Sequence, residues 1–110
     1  MRLPNPERAV VDVAKLRDYC LSPKHLRGRH KARVFASVLG LTAADAEILQ
    51  RRLQEAALTS EAAAGESDRY GQRFVLDFEM TTARGSARIR SIWMVRSGED
   101  FPRLTTCYVL

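Results

Sequence analysis

The hydrophobic pattern of this chain changes its period partway along, and that change constrains the fold more than any other feature. Up to about residue 58, apolar side chains recur at the spacing of helices. From about residue 70, Phe74, Leu76, Phe78 and Met80 alternate with polar or charged neighbours, which is the period of a strand. Helices followed by a run of strands predict an α+β fold, in which N-terminal helices pack on a C-terminal antiparallel β-sheet.

Capping residues divide the first half of the chain into three predicted helices. Asp12 and Thr42 are good N-terminal caps, and Gly40 is suited to the end of a helix. The residue before Pro23 avoids the helical region, so the first helix is predicted to end there. We predict helices over about 13–21, 31–39 and 43–58. Ala9–Val11 is a candidate for a short edge strand.

The second half is predicted to form a meander of three strands. Its turns, Thr82–Gly85 and Ser97–Asp100, are too short for crossover connections, so neighbouring strands should be antiparallel. Residues 59–70 are small, polar and acidic, and we predict that they form a surface connection. At 110 residues the chain is predicted to be a single domain over 1–110, with a helical half at about 1–58 and a strand half at about 70–110.

The charge balance favours an anionic partner. The chain has 18 Lys and Arg against 13 Asp and Glu, a formal net charge of +5 at pH 7, and the excess lies in the first 60 residues. No apolar run approaches the roughly 18 residues of a membrane span, so no membrane partner is expected. The N-terminus lacks the apolar core of a secretory signal, and two cysteines make no disulfide framework, so a cytoplasmic location is expected.

The densest cluster of positive charge lies between residues 24 and 33. It holds five cations, both histidines of the chain and no acidic residue: Lys24, His25, Arg27, Arg29, His30, Lys31 and Arg33. A histidine titrates near neutral pH and transfers protons, and cations stabilise the charge of a phosphoryl transition state. These groups suffice for metal-independent RNA cleavage, in which a ribose 2′-OH attacks the adjacent phosphate. The alternative is a solvated basic surface with an inert histidine.

A second set of polar groups lies on the predicted strands. Arg88, Arg90 and Arg96 share one face of the middle strand. The last strand brings nearby hydroxyls, from Thr105, Thr106 or Tyr108. Such a sheet face is able to hold a nucleic-acid backbone. The alternative is that these arginines pair with carboxylates of the neighbouring strand, such as Glu79, and only support the sheet.

Several common catalytic motifs do not occur in the sequence. It has no Gly-rich phosphate loop, no G-x-S-x-G, no H-E-x-x-H and no C-x-x-C. Their absence disfavours the common nucleotide-dependent and zinc-dependent enzymes, and neither a cofactor nor a metal site is expected.

Three stretches of the chain resemble a family of small bacterial domains of unknown function. The matching residues are Tyr19, Leu21, Pro23, His25, Gly28, Lys31, Ala32 and Phe35, then Arg90 and Trp93, then Pro102, Arg103, Leu104, Thr106 and Tyr108. Similar domains also occur as C-terminal toxin modules of large secreted bacterial proteins. Those modules resemble the barnase/EndoU/colicin/RelE group of ribonucleases. The resemblance implies helices packed on an antiparallel sheet and metal-independent RNA cleavage.

The leading hypothesis is therefore a toxin-type endoribonuclease. Its substrate would be RNA, and its partner a cognate antitoxin or immunity protein. His25 would act as general acid or base, Lys31 and Arg90 would bind the scissile phosphate, and Thr106 would orient it. The further candidates for binding nucleic acid are Lys24, Arg27, Arg29, His30, Arg88 and Tyr108. This hypothesis requires the helix entrance at Lys31 to lie against the sheet face that carries Arg90.

Two alternatives belong to other classes of protein. The first is a non-catalytic basic module that binds nucleic acid or an acidic protein. The second is an accessory or antitoxin-like protein whose basic surface covers an acidic toxin.

Overall fold

In a computed structural model that describes residues 1–110, three helices precede a four-stranded antiparallel sheet. The predicted α+β arrangement, with the helices N-terminal to the sheet, is confirmed. None of the helices combines the length and the apolar content that crossing a membrane requires.

The helical half contains three helices, and the first two each end in a wider π-helical turn. Their bounds are Val13–Lys15 continuing as Leu16–Cys20 for α1, Arg29–Val34 continuing as Phe35–Leu39 for α2, and Ala46–Thr59 for α3. The caps expected from the sequence are present. The Asp12 carboxylate accepts a hydrogen bond from the Ala14 N–H, and Gly40 ends α2 with a left-handed φ of 70°. Thr42 and Asp45 form a capping box before α3.

The sheet has four strands where the sequence predicts three. They are joined in the order β1-β2-β3-β4, with bounds Ala62–Asp68, Gly71–Thr81, Ser86–Arg96 and Arg103–Val109. The prediction of a surface connection over 59–70 is therefore wrong for β1. Every residue of β1 after Ala62 is exposed, so the strand has no alternating apolar face for the sequence to show. Backbone pairing with β2 holds it at the edge of the sheet.

The segment before α1 covers part of the opposite edge of the sheet. Instead of the edge strand considered for Ala9–Val11, a single parallel bridge joins Val10 to Arg103. The Val10 N–H donates to the Pro102 carbonyl, and the Leu104 N–H donates to the Val10 carbonyl, both at 2.9 Å. Beyond this bridge the edge of β4 faces α1 and α2.

One face of the sheet is buried beneath the helices. The alternation predicted for β2 and β3 is confirmed, because every second residue joins the core: Phe74, Leu76, Phe78, Met80, Ile89, Ser91 and Trp93. Ser91 is the polar member of this set and is fully buried. Its hydroxyl donates to the Leu76 carbonyl at 2.6 Å and accepts from Trp93 Nε1 at 2.8 Å.

Replacing Ser91 should lower the free energy of unfolding, because its hydroxyl is a hydrogen-bond partner of two other groups. Ser91→Ala leaves the buried Trp93 N–H without an acceptor, which costs about 1–3 kcal/mol of unfolding free energy. Urea denaturation followed by the fluorescence of the single tryptophan measures this loss. Ser37→Ala, at an exposed position of α2, serves as the control and should change stability by less than about 0.5 kcal/mol. Equal stability of the two variants would contradict this account of the core.

Candidate functional site

His25 lies in the loop between α1 and α2, and its ring is part of the structure of that loop. Its Nδ1 accepts hydrogen bonds from the N–H groups of Arg27 at 3.1 Å and Gly28 at 3.2 Å. The ring meets the Tyr19 ring edge-on, with 4.4 Å between centroids. Because an accepting Nδ1 carries no proton, the neutral ring has its proton on Nε2. His25 can therefore donate a hydrogen bond to a ligand, while its Nδ1 is occupied.

Gly28 fixes the distance between the loop and the end of α1. A Cβ at this position would lie 2.5 Å from the Tyr19 carbonyl oxygen, which is backbone and has little freedom to move. The φ of Gly28 is −92°, which other residues adopt readily. The glycine is thus needed for close packing, and this packing sets where α2 begins.

A cavity of about 450 Å³ opens between α1, the loop and β4. Its lining residues are Lys15, Asp18, Tyr19, His25 and Thr105. Thr105 lies at an irregularity of β4, where the register with β3 shifts between Ile92 and Trp93 and leaves it without a partner. A bulge of this kind re-aims side chains at a sheet edge, and here it places the Thr105 side chain at the cavity.

Further along β4, three residues from different elements meet. The Lys31 Nζ of α2 lies 4.7 Å from the centroid of the Tyr108 ring. Tyr108 is paired with Arg90 across β3 and β4, so the two side chains are neighbours on one face of the sheet. The structure therefore brings two of the predicted catalytic residues, Lys31 and Arg90, to the two sides of one tyrosine.

Arg90 lies on the sheet face that points away from the helices. It forms two hydrogen bonds with Asp77 of β2, both at 2.9 Å. The Arg90 guanidinium lowers the pKa of the Asp77 carboxyl, chiefly through this hydrogen-bonded pairing. The expectation that α2 would lie against the face carrying Arg90 is wrong, because the helices cover the opposite, apolar face. Lys31 reaches Tyr108 at the strand edge instead.

Most of the other sheet arginines are also paired with carboxylates, the exception being Arg96 at the end of β3. Arg88 lies 3.8 Å from Glu79, as the structural alternative predicted, and Arg103 forms a bidentate pair with Glu99 at 2.9 Å. The cations around His25 differ from these. None of them forms a salt bridge. Lys31 is half-buried, and the other four are exposed: Lys24, Arg27, Arg29 and Arg33. The loop and α2 thus hold five cations without an acidic partner between residues 24 and 33.

The predicted catalytic residues fall into two groups along β4 rather than into one cavity. Lys31 and Arg90 flank Tyr108, whereas His25 lines the cavity beside Thr105. Thr106 lies between these groups on the strand, with its Oγ1 4.0 Å from the Cys20 Sγ. His30 is exposed on α2 and lines neither group.

The sequence predicted no role for two residues of the cavity, Lys15 and Asp18, and predicted Thr105 only as a hydroxyl on the sheet face. Lys15 and Tyr19 are four residues apart on α1 and therefore share a face, which is a signal the sequence does carry. Asp18 has no such signal, because exposed acidic residues are common on helices. The position of Thr105 at the cavity depends on the bulge in β4, which no residue of the strand predicts.

The two cysteines belong to the core between α1 and β4. Cys20 and Cys107 are both free thiols and completely buried. The hydrogen bond with Cys20, together with burial, raises the pKa of the Cys107 thiol. A buried neutral thiol is a packing group rather than a nucleophile. No three His, Cys, Asp or Glu side chains converge as a metal-binding group.

The role of His25 in the loop can be tested by comparing two variants. His25→Ala removes the acceptor for two backbone N–H groups and should lower the unfolding free energy by about 1 kcal/mol. His25→Asn should recover most of this loss, because an asparagine oxygen accepts from the N–H two residues ahead. Urea denaturation and hydrogen exchange at Arg27 and Gly28 measure the effect. Identical behaviour of His25→Ala and the parent would contradict the loop role.

The pairing of Asp77 with Arg90 predicts a pH dependence of stability. Because the pKa of Asp77 is lowered in the folded state, its contribution is present above the unfolded pKa of about 3.9 and is lost as pH falls through the folded value. Asp77→Asn should therefore lower the melting temperature at neutral pH, and the gap to the parent should close as the pH falls below the unfolded pKa of about 3.9. A gap that stays constant over this range would contradict the pairing.

Comparison with known families gives one match. Residues 2–110 match the family described as Domain of unknown function (DUF6883). The predicted resemblance to a family of small domains of unknown function is confirmed by this match, which makes no connection to the ribonuclease group. A comparison with curated proteins finds no match.

Proposed function

The chain belongs to the DUF6883 family of domains of unknown function, and from this starting point we propose that it is a metal-independent endoribonuclease acting at the edge of β4. The observation that supports the proposal most is the meeting of Lys31, Tyr108 and Arg90. At this meeting point the Tyr108 hydroxyl can exchange protons, and the two cations, Lys31 and Arg90, can bind a phosphate.

The distribution of charge supports the same surface. Arg90 and Arg103 of the sheet are partnered by carboxylates, whereas the cations of the loop and α2 have no acidic partner. A polyanion is attracted most strongly where positive charge is not already balanced. An RNA strand drawn to the loop and α2 would pass along β4, where Lys31 and Tyr108 meet.

The proposed reaction is transfer of the phosphate from the 5′-oxygen to the neighbouring 2′-oxygen. The 2′-oxygen forms a bond to phosphorus as the 5′-oxygen leaves, and the proton lost by the first is balanced by a proton gained by the second. Tyr108 would exchange these protons, and Lys31 and Arg90 would stabilise the extra charge on the phosphate. The products are a 2′,3′-cyclic phosphate and a 5′-OH.

This proposal changes the role expected for His25. With Nδ1 held by the loop, the ring offers an N–H donor at Nε2 and no free acceptor nitrogen. His25 would bind the substrate rather than carry its proton. A protein that inhibits such a toxin-type enzyme, as an antitoxin or immunity protein does, would cover the loop and α2 with an acidic surface.

Cleavage of a labelled single-stranded RNA tests the proposal. The parent protein should yield 2′,3′-cyclic phosphate ends in the presence of EDTA. Tyr108→Phe and Lys31→Met should each slow cleavage by about 100-fold or more. Arg51→Met removes one cation from an exposed position of α3 and should leave the rate unchanged. Absence of cyclic phosphate ends, or equal rates for Arg51→Met and Lys31→Met, would refute the proposal.

The second candidate is a non-catalytic module that binds RNA. Two observations favour it: Nδ1 of His25 serves the loop, and Arg90 is held by Asp77. This candidate predicts affinity without cleavage. The logarithm of the binding constant should fall with the logarithm of salt concentration, with a slope of about −0.7 per phosphate contact for a single strand. Affinity that persists in a Tyr108→Phe variant, in the absence of any cleavage by the parent, would favour binding over catalysis.

A further inference from the structure

We infer that the cavity between α1 and β4 binds one unpaired guanine base of the RNA. The inference rests on the proposed function and concerns which sequence that function recognises. The cavity, at about 450 Å³, has room for a purine base. Its Tyr19 ring supplies an aromatic surface, and single-stranded RNA is recognised by stacking unpaired bases on such rings and bonding to their edges.

Asp18 is the feature that distinguishes this cavity from a phosphate site. It is the only carboxylate among the lining residues, and it is largely exposed. Its Oδ1 accepts a hydrogen bond from Arg17 Nε at 3.2 Å, and its neighbours in the cavity include Lys15 and His25. A phosphate would be repelled by this carboxylate, whereas the N–H donors on a base edge would bond to it. The cavity therefore suits the base of a nucleotide whose phosphate lies elsewhere.

The donors and acceptors of the cavity match guanine better than other bases. Guanine presents two adjacent N–H donors, N1–H and N2–H, with the O6 acceptor beside them. Each carboxylate oxygen can accept two hydrogen bonds, so both oxygens of Asp18 can accept from that pair while Oδ1 keeps its bond from Arg17. The O6 acceptor then faces a donor, for which Lys15 and the Nε2–H of His25 are available. Adenine, cytosine and uracil lack the pair of adjacent donors.

The position of the cavity fits a base next to the cleaved phosphate. Thr105 lines the cavity and Tyr108 lies three residues further along the same strand, a rise of about 10 Å. That separation is within the reach of neighbouring units of one RNA strand. A base held at Thr105 would place a phosphate of the same strand near Lys31 and Tyr108.

Calorimetric titration with mononucleotides tests the inference without any cleavage. The probes are guanosine 3′-monophosphate, inosine 3′-monophosphate, which lacks the N2 amine, and uridine 3′-monophosphate. The parent protein should bind the guanosine nucleotide about 10- to 100-fold more tightly than the other two. Asp18→Asn should abolish this preference, and Glu47→Gln, an exposed acid of α3, should retain it. Circular dichroism confirms that both variants fold.

The outcomes separate this inference from the proposed function. A guanosine preference that depends on Asp18 in a protein that cleaves no RNA supports the cavity assignment and refutes the ribonuclease. Cleavage without any guanosine preference overturns the cavity assignment and leaves the ribonuclease standing. Failure to bind any of the three nucleotides, or a preference that survives Asp18→Asn, also overturns the cavity assignment.

Discussion

The packing of α1 and α2 over the edge strand β4 is the constraint on which the candidate site depends. Leu104 and Cys107 of β4 are buried in the same core as Leu16 and Cys20 of α1. These contacts hold the helices so close to the strand that the Lys15 Nζ reaches the Leu104 carbonyl at 3.4 Å. The residues of β4 that alternate with these buried ones then lie at the surface, where side chains of the helices, the loop and the strand meet.

The same packing explains why the site has two parts. A regular strand would send successive side chains to opposite faces, but the bulge at Thr105 breaks this alternation. Thr105 comes to line the cavity with His25, while Tyr108, beyond the bulge, is paired with Arg90 and lies against Lys31. One irregularity in β4 thus separates a base-sized cavity from a cluster suited to phosphate.

Much of this arrangement could be predicted from the sequence, and the exceptions have physical causes. The alternation in β2 and β3 identified the buried face, because a sheet face beneath helices must be apolar. Because successive residues of β3 point to opposite faces, Arg90 lies on the face away from the helices. The expected contact between Arg90 and the helix entrance was therefore wrong. The sequence did not predict strand β1, because pairing at a sheet edge needs only backbone groups and the side chains of this strand are exposed. The bulge in β4 was not predicted either, because it depends on tertiary packing.

The account predicts that RNA lies along β4, and not across β1 and β2 at the other edge of the sheet. Titration of isotope-labelled protein with an uncleavable RNA, carrying 2′-deoxy sugars, tests this directly by NMR. Chemical-shift changes should concentrate at Lys31, Thr105 and Tyr108. Changes confined to the β1 edge of the sheet, at Glu66 and Arg73, would contradict the account, as would the absence of any shift.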